Sequence, residues 1–251
     1  VWLVPSMDRI WIEGSSGRRQ FLDRLTLSYF PEHAGTSLSY EKAMRERNRL
    51  FKEKIYNDHW YNALEIEMAK NAVSIQKARL EAIKYLSEAQ NNLTGKFPKA
   101  ELFLVDPDQT IITDEEEAIQ VLKGSRPSDM IMGRTSVGPH KSDLQAVYED
   151  KFTLAKDCST GEQKAILISI ILANAKSLAK ISNVSPIVLL DEVSAHLDKE
   201  RQAALYDEIC GLGVQAWMTG TGSELFSELK NKAQFIEVST IDGISELSIS
   251  N

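Results

Sequence analysis

Cysteine is nearly absent: the 251 residues contain only Cys158 and Cys210. Two are too few for a disulfide framework, and neither sits in the C-x-x-C or Cys/His spacing of a structural zinc site. A stapled secreted domain is excluded, and a reducing compartment is the expectation. Long hydrophobic runs are missing too. No stretch reaches the roughly 18 consecutive apolar residues of a membrane-crossing helix, and Val1-Trp2-Leu3-Val4 lacks the basic flank of a signal peptide. The expectation is a cytoplasmic protein without a membrane span. Internal repeats and low-complexity segments are absent. So is the phosphate-cradling loop G-x-x-x-x-G-K-[ST]: no Gly is followed by Lys and then Ser or Thr, and Gly95-Lys96 runs into Phe97.

What is present describes a globular chain. Hydrophobic residues make up 43% and charged residues 26%, which excludes intrinsic disorder and a collagen-like chain. The length suits one large or two small domains. The net charge of −7 is unevenly spread. Residues 1–60 carry 10 basic and 8 acidic groups, 61–155 carry 11 and 15, and 156–251 carry 8 and 13. Only the first segment has a basic surplus. The first residue is Val, and the text opens as if in mid-strand, so a preceding segment is expected.

Periodicity predicts a helix over 41–54, with Tyr40, Ala43, Met44, Leu50, Phe51 and Ile55 at three- and four-residue steps. Asn57-Asp58 breaks it. A second helix follows over 59–93 until Thr94-Gly95, making an antiparallel hairpin about 50 Å long. Short strands are expected at 101–105, 143–148 and 152–154, with a turn at Asp106-Pro107-Asp108 and a helix starting near Asp114. Beyond Glu162 helices and strands alternate. The run Ile187-Val188-Leu189-Leu190 reads as a strand covered on both faces, 214–218 as another, and 199–210 as the helix of a βαβ unit between them. Strands at 234–238 and 244–249 flank a hairpin turn at Asp242-Gly243.

Three motifs carry chemistry. The run 187–190 ends in Asp191-Glu192, two carboxylates at the carboxyl edge of a parallel sheet, where ligands of α/β folds bind. Such a pair can hold Mg²⁺ and polarise a water attacking a phosphate; the plain alternative is a buried strand followed by an acidic turn. Upstream, Cys158-Ser159-Thr160-Gly161-Glu162-Gln163-Lys164 opens an apolar helix. Hydroxyls and amides at a helix start suit a phosphate, and equally an ordinary N-cap. Downstream lies Ser194-Ala195-His196-Leu197-Asp198. His196 and His140 are as compatible with structural hydrogen bonds as with a site role.

The order S-T-G-E-Q, then an apolar strand ending in D-E, then S-A-x-L-D resembles the signature motif, Walker B strand and D-loop of ABC-type ATPases that include the SMC family. Further segments make the chain similar to the bacterial RecF family of recombination-repair proteins. They are 14–24 (GSSGRRQFLDR), 133–143 (GRTSVGPHKSD), 190–198 (LDEVSAHLD) and 217–221 (WMTGT), and the match spans almost the whole chain. Lys141 stands where that family commonly has Arg, and Ser142 where it usually has Asp.

The resemblance implies an α/β, ABC/SMC-type P-loop ATPase head, incomplete because its Walker A loop would lie upstream. Residues 1–37 would end an N-terminal lobe, 38–98 would form an inserted helical lid, and 99–251 would be the C-terminal lobe. It further implies an ATP-dependent homodimer. In it Ser159, Thr160 and Gly161 would face the γ-phosphate bound to the other copy, with Glu162 and Gln163 starting the helix behind them within the same binding element, and Asp191 would support Mg²⁺. Glu192 would be the catalytic base, Ser194 and Asp198 would couple the two sites, and Thr219 would sense the phosphate. DNA at gaps or single-strand/double-strand junctions is the implied partner, with RecR and RecO, in loading recombinase. With no global basic field, DNA contacts need a local patch. Candidates are Arg18, Arg19 and Arg24, and the helix set Lys42, Arg45, Arg47, Arg49, Lys52 and Lys54, for which a solvated face paired with Glu41, Glu46 and Glu53 is the alternative. Two other readings are a non-hydrolytic DNA- or protein-binding fragment of such a head and a transporter's nucleotide-binding subunit. The first follows if the chain acts without the missing loop; the hairpin argues against the second.

Overall fold

The computed structural model describes residues 1–93, 97–106, 111–182, 185–194, 197–229, 231–241 and 244–250. In chain order its elements are β1 (Trp2–Leu3), α1 (Ser15–Tyr29), α2 (His33–Lys52), α3 (Asp58–Gln90), β2 (Ala100–Val105), α4 (Glu115–Met132), β3 (Asp143–Tyr148), β4 (Thr153–Leu154), α5 (Thr160–Ser182), β5 (Val188–Leu190), α6 (Lys199–Leu212), β6 (Ala216–Met218), β7 (Phe235–Ile241) and β8 (Ile244–Ser250). They fall into two compact units. One comprises Val1–Asp8, Gln90–Lys99 and Ser159–Asn251; the other comprises Arg9–Ala89 and Ala100–Cys158.

In the second unit α2 buries Tyr40, Ala43, Arg47, Leu50 and Phe51, a stripe at three- and four-residue steps. Tyr40 and Ala43 pack with Met68, Ala69, Ala72 and Val73 of α3 and with Ala118 and Leu122 of α4. Leu50 and Phe51 close on Tyr61. The hairpin is thus formed as its periodicity predicts, with α2 starting eight residues before the expected boundary. α4 begins where Asp114 accepts the Glu117 amide and ends at Gly133 with φ 66. Strands β2, β3 and β4 form an antiparallel sheet, with Ala100 opposite Tyr148 and Val105 opposite Asp143. Helix α1, which buries Phe21, Leu22 and Leu25 and packs on β3, has no counterpart in the sequence expectations.

The first unit holds a parallel sheet in the order β1-β5-β6, with α6 as the crossover between β5 and β6. Helix α5 is long and apolar enough to cross a membrane, yet most of it is buried; Ala165 to Ala173 are shielded from solvent.

The expectation that β5 is covered on both faces is corrected. Val188 and Leu190 are buried, but Ile187 and Leu189 are 52% and 47% exposed. Leu189 pairs with Trp2 on one side and Trp217 on the other, and both tryptophans are exposed. An apolar row therefore crosses one sheet face, and among the described residues nothing covers it. β7 and β8 pair antiparallel from Phe235–Ser250 to Ile241–Ile244. The expected turn at Asp242-Gly243, the helix stop at Thr94-Gly95, the Pro107-Asp108 turn, and Ala195 with His196 lie outside the described residues.

Candidate functional site

The site grows from the register of β5 and β6. Leu190 is opposite Met218, so the residues that leave the two strands, Asp191 and Thr219, emerge side by side; the Thr219 amide donates to the Leu190 carbonyl at 3.0 Å. The Thr219 hydroxyl donates to Asp191 Oδ1 and accepts the Glu192 amide at 3.1 Å. One hydroxyl can do both, having one proton and two lone pairs. Glu192 adopts φ 48, a left-handed conformation that costs a non-glycine residue about 1 kcal/mol or more and persists where surrounding contacts impose it. Both carboxylates are exposed.

Ser159 starts α5 through a capping box. Its amide and hydroxyl both donate to Glu162 Oε2, at 2.9 and 2.8 Å, and the Glu162 amide lies 3.4 Å from Ser159 Oγ. The N-cap alternative is therefore realised in this chain, with Ser159, Thr160 and their amides at the positive end of a 23-residue helix. A Cβ on Gly161 would sit 3.6 Å from Arg201 Nη1. Arg201 also pairs with Asp198, whose carboxylate caps α6 by accepting the Arg201 amide at 2.8 Å.

Ser194 is placed inward, only 1% exposed. Tyr206 gives its single hydroxyl proton to the Leu225 carbonyl at 2.6 Å, so at the 2.7 Å contact Ser194 is the donor. Its carbonyl accepts from Gln202 at 3.1 Å. This hydroxyl ties the loop after β5 to α6.

The arginines proposed for DNA are distributed quite differently. Arg47 is fully buried and donates to Glu65, to Asp129 at 2.6 Å, to Thr135 and to the Leu122 carbonyl. Its assignment to DNA is corrected: every face of the guanidinium is occupied, and it also stacks over Phe51. Arg18 forms a two-pronged pair with Asp143 and reaches the Ile10 and Glu13 carbonyls. Arg19 donates to Ser15 and to the Ser142 carbonyl; burial, then its neighbour Arg79, hold its guanidinium below the ordinary value. Arg45 and Arg49 are exposed and paired along the helix, with Glu41 and with Glu46 and Glu53.

Arg47 belongs to a polar assembly that grips the segment 133–142. Asp129 accepts from the Ser136 amide and hydroxyl, and Asn48 from the Thr135 amide and hydroxyl. Arg79 donates to the Pro139 carbonyl and Ser142 Oγ and pairs twice with Asp23. Burial pushes the Asp23 carboxyl up, but hydrogen bonds from His33 and Arg79 outweigh it and hold the group below the usual range. Tyr40 donates to His140 Nδ1 at 2.8 Å, and His140 Nε2 faces the Thr135 carbonyl at 3.3 Å, which fixes a neutral Nε2–H tautomer. Burial lowers the affinity of His140 for a proton. The pairings of Arg79 with Asp23 and Ser142 and of Tyr40 with His140 escape a motif search because the partners lie 56 to 100 residues apart in sequence. Arg47 had a signal: it stands in register with Tyr40, Ala43 and Leu50 on the apolar stripe.

No family model matches the chain. It is 43% identical over 246 residues to the DNA replication and repair protein RecF of Mesorhizobium japonicum, covering 95% of this chain and 65% of that protein. It is 40% identical over 243 residues to the protein of that name in Rickettsia akari, covering 95% and 68%. Among solved structures, the recombination mediator protein RecF-ATP in the RecFOR pathway superposes with a TM-score of 0.80 at 22% identity, over 99% of this chain and 67% of the other. An Smc head domain of Pyrococcus furiosus, bound to the C-terminal domain of ScpA, gives 0.50 at 15% identity, over 99% and 61%. The fold is thus that of RecF and SMC ATPase heads, the ABC-type P-loop class. The chain spans about 65% of the length of the first relatives it matches. With 40% identity to a relative of which it covers 68%, the chain belongs to the RecF family of DNA replication and repair proteins.

Proposed function

We propose that this chain supplies the signature, acidic-strand and D-loop part of an ATPase head that works in two copies. With ATP enclosed between the copies, the head acts at gapped or junction DNA with RecR and RecO to promote recombinase loading. The reading rests on family membership and on one observation, the Thr219 hydroxyl holding Asp191 while accepting the Glu192 amide. A carboxylate held by a hydroxyl, beside a second on a fixed backbone at a sheet's carboxyl edge, suits phosphoryl transfer, where catalysis is positioning plus charge stabilisation.

In this scheme Glu192 is the base that takes a proton from the attacking water. Ser159, Thr160 and Gly161 face the γ-phosphate held by the other copy, with Glu162 starting the helix behind them, and Asp198 lies across the dimer. Asp191 and its hydroxyl neighbour are hard oxygen donors of the kind Mg²⁺ takes. Among the described residues no group of three or more His, Cys, Asp or Glu could hold a metal, and a sparse donor set suits an ion that keeps its waters and shares phosphate oxygens. Mg²⁺ held there would neutralise phosphate charge. The α2–α3 hairpin serves as the lid of residues 38–98, which in chain order follows the lobe segment 1–37 and precedes 99–251. Arg45 and Arg49, exposed on α2, are the DNA contacts retained, and the location is cytoplasmic.

The sequence has no G-x-x-x-x-G-K-[ST] loop. That favours a second reading for the chain by itself, a non-hydrolytic fragment with interaction surfaces only. The test is Glu192→Gln in a protein of the relatives' full length that contains this chain. ATP-dependent dimerisation is retained, and turnover falls by about 10² or more. Unchanged turnover overturns the assignment of the base.

A further inference from the structure

Lys164 is the fifth residue of α5 and its side chain is 7% exposed. Lysines ordinarily carry their ammonium to water, and burying one without partners is strongly unfavourable. Here Nζ has two: Asp8 Oδ2 at 3.3 Å and the main-chain carbonyl of Glu192 at 3.2 Å. The second contact is the informative one. Glu192 has a left-handed backbone, its amide is held by Thr219 just after β6, and its carbonyl is held by Lys164 from α5. Both polar backbone groups of the strained residue are therefore fixed by side chains, one from each flanking element.

We propose that Lys164 is a positioning residue, which clamps the Glu192 turn and links the helix that begins at Ser159 to the acidic pair. The inference rests on the reading of Glu192 as the base for its catalytic consequence, while its structural content stands apart from that reading. Without the ammonium the Glu192 carbonyl and the Asp8 carboxylate lose a charged donor, and the turn is free to relax from φ 48. A displacement of about 1 Å at a reacting group costs on the order of 10²-fold in rate.

The test compares wild type, Lys164→Met, which keeps the length and apolar stem, and Lys164→Arg, which keeps the charge. Asp8→Asn serves as a variant that leaves Lys164 and its packing in place. Hydrogen exchange on this chain reports the clamp directly. In Lys164→Met the peptide 191–194 exchanges at least about 10-fold faster while 199–212 is unchanged, Lys164→Arg restores protection, and Asp8→Asn falls between. In the full-length protein Lys164→Met lowers kcat by about 10² with KM for ATP within about twofold, as expected of lost orientation rather than lost binding. Exchange at 191–194 that matches wild type in Lys164→Met overturns the clamp. If Lys164→Met does not fold, the same result in Asp8→Asn overturns it. A kcat within twofold of an active wild type overturns the catalytic role. A wild type without turnover defeats the reading of Glu192 as a base and leaves the exchange result to decide the clamp.

Discussion

The hydroxyl of Tyr40 occupies the space where a side chain on Gly138 would start: a Cβ there would lie 2.3 Å from the Tyr40 oxygen. Gly138 also has φ +125, a conformation that side-chain-bearing residues rarely adopt. Glycine is thus required twice over, by backbone and by contact. Gly138→Ala is expected to cost about 2–4 kcal/mol of unfolding free energy. In a Tyr40→Phe background the cost falls by about 1 kcal/mol, because the nearest ring atom would then be 3.4 Å away. A double-mutant cycle by chemical denaturation measures this, and an additive cycle would refute the contact.

Acid sensitivity follows from His140. Burial holds its pKa below the ordinary 6.5, an effect larger than the opposing bond to the Thr135 carbonyl. The unfolded chain therefore binds a proton that the folded one refuses. Stability is fully present above about pH 6.5 and declines as the pH falls from there to the folded pKa, by at most about 1.4 kcal/mol per pH unit. Asp23, held below its usual range, adds a loss at lower pH, beginning near its ordinary 3.8. His140→Gln is expected to lower the plateau and to remove its share of the slope just below pH 6.5. The check is denaturation at closely spaced pH values in wild type and variant.

Three arginines of one helix are expected to separate by burial. Removing a buried partner leaves uncompensated charge, so Arg47→Met, which strips Asp129 of its cation and leaves Glu65 to Arg126 alone, should cost about 3–5 kcal/mol. Arg45→Met and Arg49→Met break exposed helical pairs and should each cost under about 1 kcal/mol. The same pair reversed to Glu in the full-length protein should weaken DNA binding and flatten its dependence on salt. DNA affinity unchanged by that reversal would return α2 to the reading of a solvated face.

Those arginines also mark the limit of what sequence can convey. Helix α2, helix α3, the βαβ unit and the terminal hairpin are legible because periodicity and apolar runs are local properties. The Asp191-Glu192 edge and the Ser159 helix start are legible for the same reason. Arg45, Arg47 and Arg49 look alike as composition, and only the phase of Arg47 with Tyr40, Ala43 and Leu50 distinguishes it. The Arg79–Asp23 and Arg18–Asp143 pairs join residues 56 and 125 positions apart, and no local pattern encodes such a choice. Helix α1 is hard to read because Gly17 and three arginines interrupt its narrow apolar face of Phe21, Leu22 and Leu25. For β5 the apolar run was legible, while cover for its second face depends on what packs there, and among the described residues nothing does.

Thr219 gives the sharpest test of the acidic edge, because valine has nearly its shape. Thr219→Val keeps the β-branch that suits the end of a strand and removes one donor, to Asp191, and one acceptor, from Glu192. The Glu192 amide would be left to solvent and its left-handed turn held by the remaining carbonyl contact alone. The expected loss is about 1–2 kcal/mol of unfolding free energy, the range for a hydrogen-bonding group exchanged for an isosteric methyl. Thr219→Ser retains the hydroxyl and should recover most of it. In the full-length protein Thr219→Val should lose turnover beyond what its folded fraction accounts for, since the carboxylates remain but their orientation does not. A valine variant with native stability and native turnover would mean that the hydroxyl does not hold the pair, and the positioning of Asp191 and Glu192 would then have to come from the β5 backbone itself.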